Sequence, residues 1–264
     1  MNKIEQTHLN FILVVSAVVA LYLISQNWKK QLTLDNVVVY DTNILTVDEI
    51  KSLADLQHGV PLFMVNLADV SKRVEQNPFV KNAVVVRALP YDVTITVHER
   101  NPIALVAMSG RVLCVDEKGV VLPLPLGRRS DLPVITNCGD NYGVGDTVSG
   151  ALMQAVKFLT DAKGFNPSVS AGISEISLQG GEITAYTTAT SLPILIGMNN
   201  FERKLLYLQE FFSKIASNGN LDCTYVDLRY NGQIVLGTER PDRIETVSSN
   251  VKGFQTAGSP RNEN

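Results

Sequence analysis

From Leu9 to Ser25 the chain reads LNFILVVSAVVALYLIS, seventeen residues without a single charge. At about 1.5 Å of rise per residue, a helix of that length covers roughly 25 Å, the short end of what crosses the hydrocarbon core of a bilayer. Tyr22 and Trp28 stand toward one end, where amphipathic rings favour the membrane interface, and Lys29 and Lys30 follow as anchors. The pattern predicts a transmembrane helix over 9–25 behind a short tail over 1–8. A cleaved signal peptide and a buried helix of a soluble domain compete for the same residues. The following QNWKKQL offers no small-x-small cleavage site, which favours an uncleaved anchor. Topology is not readable from charge alone. Lys29 and Lys30 outweigh Lys3, so positive-inside counting by itself would keep the large carboxyl part in the cytoplasm.

The rest of the chain has enough apolar content for one or two cores. It is 45% hydrophobic and 19% charged overall, which excludes a mainly disordered protein. With a net charge of -3 and no basic run interleaved with aromatics, nucleic acid is not an expected partner. Cys114, Cys138 and Cys223 lack CxxC spacing and an even count. They read as small buried residues with room for one pair. His8, His58 and His98 show no metal-ligand spacing, and no GxSxG, SxxK, Walker or dinucleotide glycine motif is present. Gly143 to Asp146 reads as a loop, and Asp116 and Glu117, adjacent in a turn, point apart. The expectation is a protein that is not an enzyme and needs no cofactor or metal. An envelope hydrolase with a site assembled from distant residues is the enzymatic alternative.

Along the soluble part, LDNVVV predicts a strand, and Thr46 three residues before Glu49 opens a helix by a capping box. Gly59 and Pro61 mark a turn. Leu67, Val70 and Val74 recur at helical spacing until Asn77-Pro78, and two strands flank Leu89-Pro90-Tyr91-Asp92. Val93, Ile95 and Val97 alternate with Thr94, Thr96 and His98 in the second of them. The order is β-α-α-β-β. Further strands are expected at IALVAM, on both sides of Glu117-Lys118-Gly119, and at LPVIT. A helix should follow Gly150 and end by Gly164, then two strands about Gly180-Gly181, and SLPILIG as another. In NNFERKLLYLQEFFSKIA an apolar stripe of Phe201, Leu205, Leu208 and Phe212 leaves Arg203, Lys204, Glu210 and Lys214 to solvent. CTYVDLRY and QIVLGTE form a hairpin about Asn231-Gly232, and the polar tail over 241–264 is expected to be disordered.

Three pieces in order carry a resemblance: HGVPLFMVNLADVSKRVEQNPFVKNAVVVRALPYDVTITVHERNPIAL, then VDEKGVVLPL, then VDLRYNGQIVLG. Together they resemble the FtsQ/DivIB family of bacterial cell-division proteins. The chain departs from that pattern in its very short amino-terminal tail and in a weakly matching middle between Asn137 and Ser191.

The resemblance implies an α+β fold: a single amino-terminal transmembrane helix, a POTRA domain over 33–101 and a β-rich domain with covering helices over 102–240. It implies a non-enzymatic divisome scaffold in the inner membrane, with its carboxyl part extracytoplasmic at the division septum. Such a scaffold recruits and links FtsB/FtsL-type coiled-coil proteins, contacts other divisome proteins through the POTRA domain, and helps regulate septal peptidoglycan synthesis. The last strand is then the partner-binding edge, so Arg229, Tyr230, Gly232, Gln233, Ile234, Val235 and Leu236 are the candidate contacts, with Arg203 extending the surface. The alternative is a POTRA-containing secretion or envelope-assembly factor that binds extended client chains.

Overall fold

The computed structural model describes residues 3–125, 131–139, 141–218, 223–230 and 232–238. Helix α1 (Lys3–Gln31) is continuous for 29 residues and so includes most of the expected tail over 1–8. Its large apolar side chains from Phe11 to Ile24 are exposed on every side. The described side chains of α1, those of 11–25, thus present no packing face suited to water. Among the described residues, no helix is long and apolar enough to cross a membrane. The side chains described on α1 are those of 11–25, about 22 Å of helix, so the span expected over 9–25 is not established by the structure.

The contacts divide the chain into two units, the first comprising residues up to 132 together with 140–148. After α1 it contains β1 (Asn36–Tyr40), α2 (Val47–Ala54), α3 (Leu67–Glu75), β2 (Val80–Ala88) and β3 (Asp92–Glu99). Next come β4 (Pro102–Met108), β5 (Arg111–Asp116) and β6 (Val121–Leu122). The expected β-α-α-β-β order is present. Helix α2 starts where Thr46 Oγ1 accepts the Glu49 N–H at 3.2 Å and the Glu49 carboxylate accepts the Thr46 N–H at 2.7 Å. Both halves of the capping box therefore satisfy donors that the first helical turn leaves open. Helix α3 is capped by Asn66 and stops before Asn77-Pro78.

The three strands lie in the order β1-β3-β2, with β1 parallel and β2 antiparallel to β3. Alternation along β3 turns Val93, Ile95 and Val97 onto the helices, where they are fully buried with Ile50, Ala54, Val70 and Val74. Two consecutive residues then fasten the unit. Glu99 accepts backbone N–H groups from Asn43 at 2.9 Å, Ile44 at 2.7 Å and Leu45 at 2.8 Å, fixing the loop that enters α2. Arg100 reaches the other way, to Asp116 at 2.9 Å. The second Asp116 oxygen accepts the Lys118 and Val120 N–H groups of the turn between β5 and β6. Asp116 is thus buried and Glu117 exposed, so these neighbours do point apart.

The second unit takes residues 133–139 and those from 149 on. It runs β7 (Val134–Thr136), α4 (Gly150–Phe165), α5 (Pro167–Ala171), β8 (Ile173–Ser177), β9 (Thr184–Thr187), β10 (Pro193–Leu195), α6 (Phe201–Asn218), β11 (Tyr225–Asp227) and β12 (Val235–Gly237). Each strand neighbours the next in sequence, from β7 to β12. The pairs β7/β8 and β10/β11 are parallel and the others antiparallel. Parallel neighbours need a long crossover, and α4 and α6 supply it. The short α5 was not expected. Asn166 caps it through Ser168 N–H, and Pro167 sits where a missing N–H costs nothing.

Helix α6 buries Phe201, Leu205, Leu208 and Phe211, while Phe212, expected in that stripe, is only half-buried. Phe201 meets Phe158 of α4 edge to face, ring centres 5.4 Å apart. The polar tail over 241–264 lies outside the described residues.

Candidate partner-binding edge

Strand β12 is the terminal strand of its sheet, paired with β11 at Tyr225↔Gly237, Val226↔Leu236 and Asp227↔Val235. Among the described residues its outer edge has no strand beside it. A strand was expected from Gln233 to Gly237, but regular pairing begins only at Val235. Gln233 and Ile234 lead into it, the first exposed and the second half-buried.

Gly232 has φ +80°, the left-handed backbone that the expected tight turn requires. Asn231 lies outside the described residues. Gly237 matters for a different reason: a Cβ there would overlap the ring of Tyr225 directly across the pair. The glycine lets that ring lie flat on the edge strand, which covers an otherwise bare backbone.

The candidate side chains separate into two kinds. Tyr230 is 56% exposed and Leu236 48%, and both offer apolar contact to an incoming chain. Arg203 is exposed on the first turn of α6. Arg229 is otherwise engaged. Its guanidinium donates to Asp227 from Nε at 3.0 Å and from Nη2 at 2.8 Å, and to Glu182 from Nη1 at 3.0 Å. Asp227 is buried, and hydrogen bonding to it holds the Arg229 proton more tightly than usual. Gly197 makes room for the Arg229 stem, since a Cβ there would stand 3.2 Å from Arg229 Cγ.

Lys204 was expected in solvent and is not: it is 8% exposed and its ammonium donates to the Ile196 carbonyl. Burial pulls its pKa down against the attraction of Asp227 and Glu182, with Arg229 adding repulsion. Two cations and two anions thus balance one another beside the end of β11. The sequence reading missed Glu182 and Asp227, and placed Lys204 in solvent beside Arg203. One signal was available for Asp227: it stands two residues before Arg229, a spacing that puts both on one face of an extended chain.

This arrangement can offer a strand edge flanked by Tyr230 and Leu236, with fixed charges beside it. Among the described residues no group of three or more His, Cys, Asp or Glu side chains could hold a metal ion.

Comparison with known proteins adds two family matches. Residues 32–100 match the family described as "POTRA domain, FtsQ-type", and residues 104–229 match "Cell division protein FtsQ/DivIB, C-terminal". The second match stops just before Tyr230 and β12. The cell division protein FtsQ of Salinibacter ruber is 30% identical over 243 residues, 87% of this chain and 92% of that protein. FtsQ of Geotalea daltonii is 28% identical over 207 residues, 77% of this chain and 74% of that one. A solved extracytoplasmic domain of DivIB from Geobacillus stearothermophilus aligns with 47% of this chain and 98% of its own length, at 19% identity and a TM-score of 0.32. On the two domain matches and the near full-length Salinibacter relative, this chain belongs to the FtsQ/DivIB family of bacterial cell-division proteins.

Proposed function

We propose that the protein is a non-enzymatic divisome scaffold, a single-pass inner-membrane protein whose extracytoplasmic part recruits and links FtsB/FtsL-type coiled-coil proteins at the septum. Septal peptidoglycan synthesis is regulated through those contacts. Residues 33–101 act as the POTRA domain, which engages other divisome proteins, and 102–240 as the β domain; the family matches over 32–100 and 104–229 support this division. Residues 9–25 act as the anchor. An uncharged run and an apolar band exposed all round α1 support that reading.

The observation that carries the partner reading is the position of β12 at the end of its sheet. An extended partner segment adds there by β-augmentation: backbone groups supply the hydrogen bonds and Tyr230 and Leu236 the apolar contact. Gly232, Gln233, Ile234 and Val235 contribute the main chain of that edge. Arg203 adds a positive charge nearby. Arg229 acts chiefly by holding Asp227 in place.

The test is capture of the extracytoplasmic FtsB/FtsL segments by the full chain in nanodiscs, with Ile234→Pro in parallel. That proline precedes the paired residues of β12, so the hairpin survives while one edge donor is lost. Capture by the parent and not by the folded variant is expected. Equal capture by both rejects the edge, and no capture by the folded parent rejects this partner class.

A further inference from the structure

The end of the first unit where α1 joins it carries an exposed apolar cluster that the partner edge does not use. Strand β1 starts at Asn36, five residues past the end of α1, and pairs there with Asp92, which in turn pairs with Ala88. The β2–β3 hairpin tip, Leu89 to Tyr91, therefore lies at the same end of the sheet as the exit of α1. The short helical turn Leu62–Met64 lies there too. It packs against α1, and its Leu62 N–H donates to the Leu32 carbonyl at 2.7 Å. The linker is held on its other side by Asp35 N–H to the Tyr91 carbonyl at 2.8 Å. Arg87 braces the turn from below, donating to the carbonyls of Leu62 at 3.0 Å and Val65 at 2.7 Å. Its guanidinium lies 5.7 Å from the centre of the Phe63 ring.

On this braced platform Met64 is 79% exposed, Leu89 64%, Tyr91 47% and Phe63 40%. Solitary exposed apolar residues need no explanation, but two loops brought to one end with four of them do. We propose that this end is a membrane foot: Phe63, Met64, Leu89 and Tyr91 seat in the interfacial layer of the bilayer and fix how the first unit stands on it. The inference rests on the anchor reading of residues 9–25. From Ser25 to Gln31 the helix advances about 9 Å, against a headgroup layer of roughly 5 to 8 Å on each side. Side chains packed beside the last turn of α1 therefore begin at the outer boundary of the headgroups. A Tyr, a Phe and two long aliphatic side chains are the residue types that partition into that layer.

The test uses the full chain in vesicles of phosphatidylethanolamine and phosphatidylglycerol, with single nitroxide labels at Met64→Cys, Leu89→Cys, Val18→Cys and Asp48→Cys. Cys138 and Cys223 are changed to Ser. Cys114 remains, because it is fully buried and its thiol is pushed up to about 11 by that burial. Asp48 opens α2, beyond the opposite end of β1, and reports water. The expected result is oxygen accessibility, relative to an aqueous nickel chelate, several-fold higher at 64 and 89 than at 48, and highest at 18. If 64 and 89 match 48 while 18 lies in lipid, the foot is overturned and the anchor stands. An aqueous signal at 18 overturns both. Strong dipolar broadening at 64 would instead show a second copy covering the cluster, which also overturns the foot.

Discussion

Each unit contains a hairpin, β2–β3 in the first and β11–β12 in the second, and the two differ in how much each can do alone. In β2–β3 pairing extends from Val80↔Glu99 to Ala88↔Asp92, with one face of β3 locked into a core shared by two helices. In β11–β12 it covers three positions, and β12 keeps two half-buried residues and one exposed residue. A long hairpin with a buried face specifies its own register, whereas a three-residue edge leaves backbone groups for another chain to complete. The long hairpin of the first unit thus completes its own pairing, whereas β12 has three paired positions and, among the described residues, no strand on its outer edge.

The sharpest way to break the comparison is to empty the core under the long hairpin. Ile95 is fully buried between both helices, so Ile95→Ala should cost about 3 kcal/mol. Denaturant unfolding of the detergent-solubilised chain would read this. Amide protection in β3 should fall with it, and β11 should keep its own. A second step attacks the other side. Arg229→Glu removes the guanidinium from a buried Asp227 and sets three carboxylates together. It should cost about 2 kcal/mol, read as faster amide exchange at Tyr225–Asp227 than at β3. At a side chain that served only as a contact, a charge reversal would leave the fold largely intact. The ion pairs show that here it disturbs the strand as well.

A smaller effect is expected at the start of α2. Thr46→Ala removes the cap, and about 1 kcal/mol of stability should go with it. Glu49 has its carboxyl held below the usual range, first by the Thr46 N–H and then by the Thr46 hydroxyl. A depressed carboxyl contributes stability that is present above its unfolded pKa, about 4.3, and is lost as pH falls through the lower folded value. An NMR titration of the parent should therefore show the Glu49 midpoint below that figure and the first α2 amides fraying with it. In Thr46→Ala the hydroxyl is lost but the backbone N–H of residue 46 remains, so the midpoint should rise only part of the way.

The same comparison explains what was legible. The first unit advertises itself locally: a capping box at Thr46 and Glu49, helical spacing at Val70 and Val74, strict alternation through β3, and a proline-marked hairpin tip. Each signal acts over fewer than ten residues, so reading along the chain finds it. In the second unit the strands are three to five residues long. Their identities could be read, but the parallel pairing of β7 with β8 and of β10 with β11 depends on where α4 and α6 return the chain. The burial of Lys204 was illegible for the same reason. On the helix it looks like any solvated lysine, and only the return of the chain before it at Ile196 and the approach of Asp227 and Arg229 from the end of β11 make it a buried donor. At the candidate edge, Tyr230 and Leu236 are named as candidates by the hairpin pattern and the family likeness, whereas the commitment of Arg229 to Glu182, 47 residues away, had no local signature.

The smallest effect on folding should accompany the largest on binding. Leu236 is the exposed residue of β12, directly opposite Val226, and its side chain is 48% exposed. Leu236→Ala removes little buried area and no hydrogen bond, so the folding free energy should move by less than about 0.5 kcal/mol. If β12 is completed by a partner strand, the same side chain becomes covered, and its loss should weaken capture about tenfold, equivalent to about 1.4 kcal/mol. Titration of FtsB/FtsL-type segments onto parent and variant measures the second quantity, and denaturant unfolding the first. A variant that lost both together would mean that Leu236 supports its own hairpin, and the contrast between a finished unit and an extendable edge would fail at the strand that defines it.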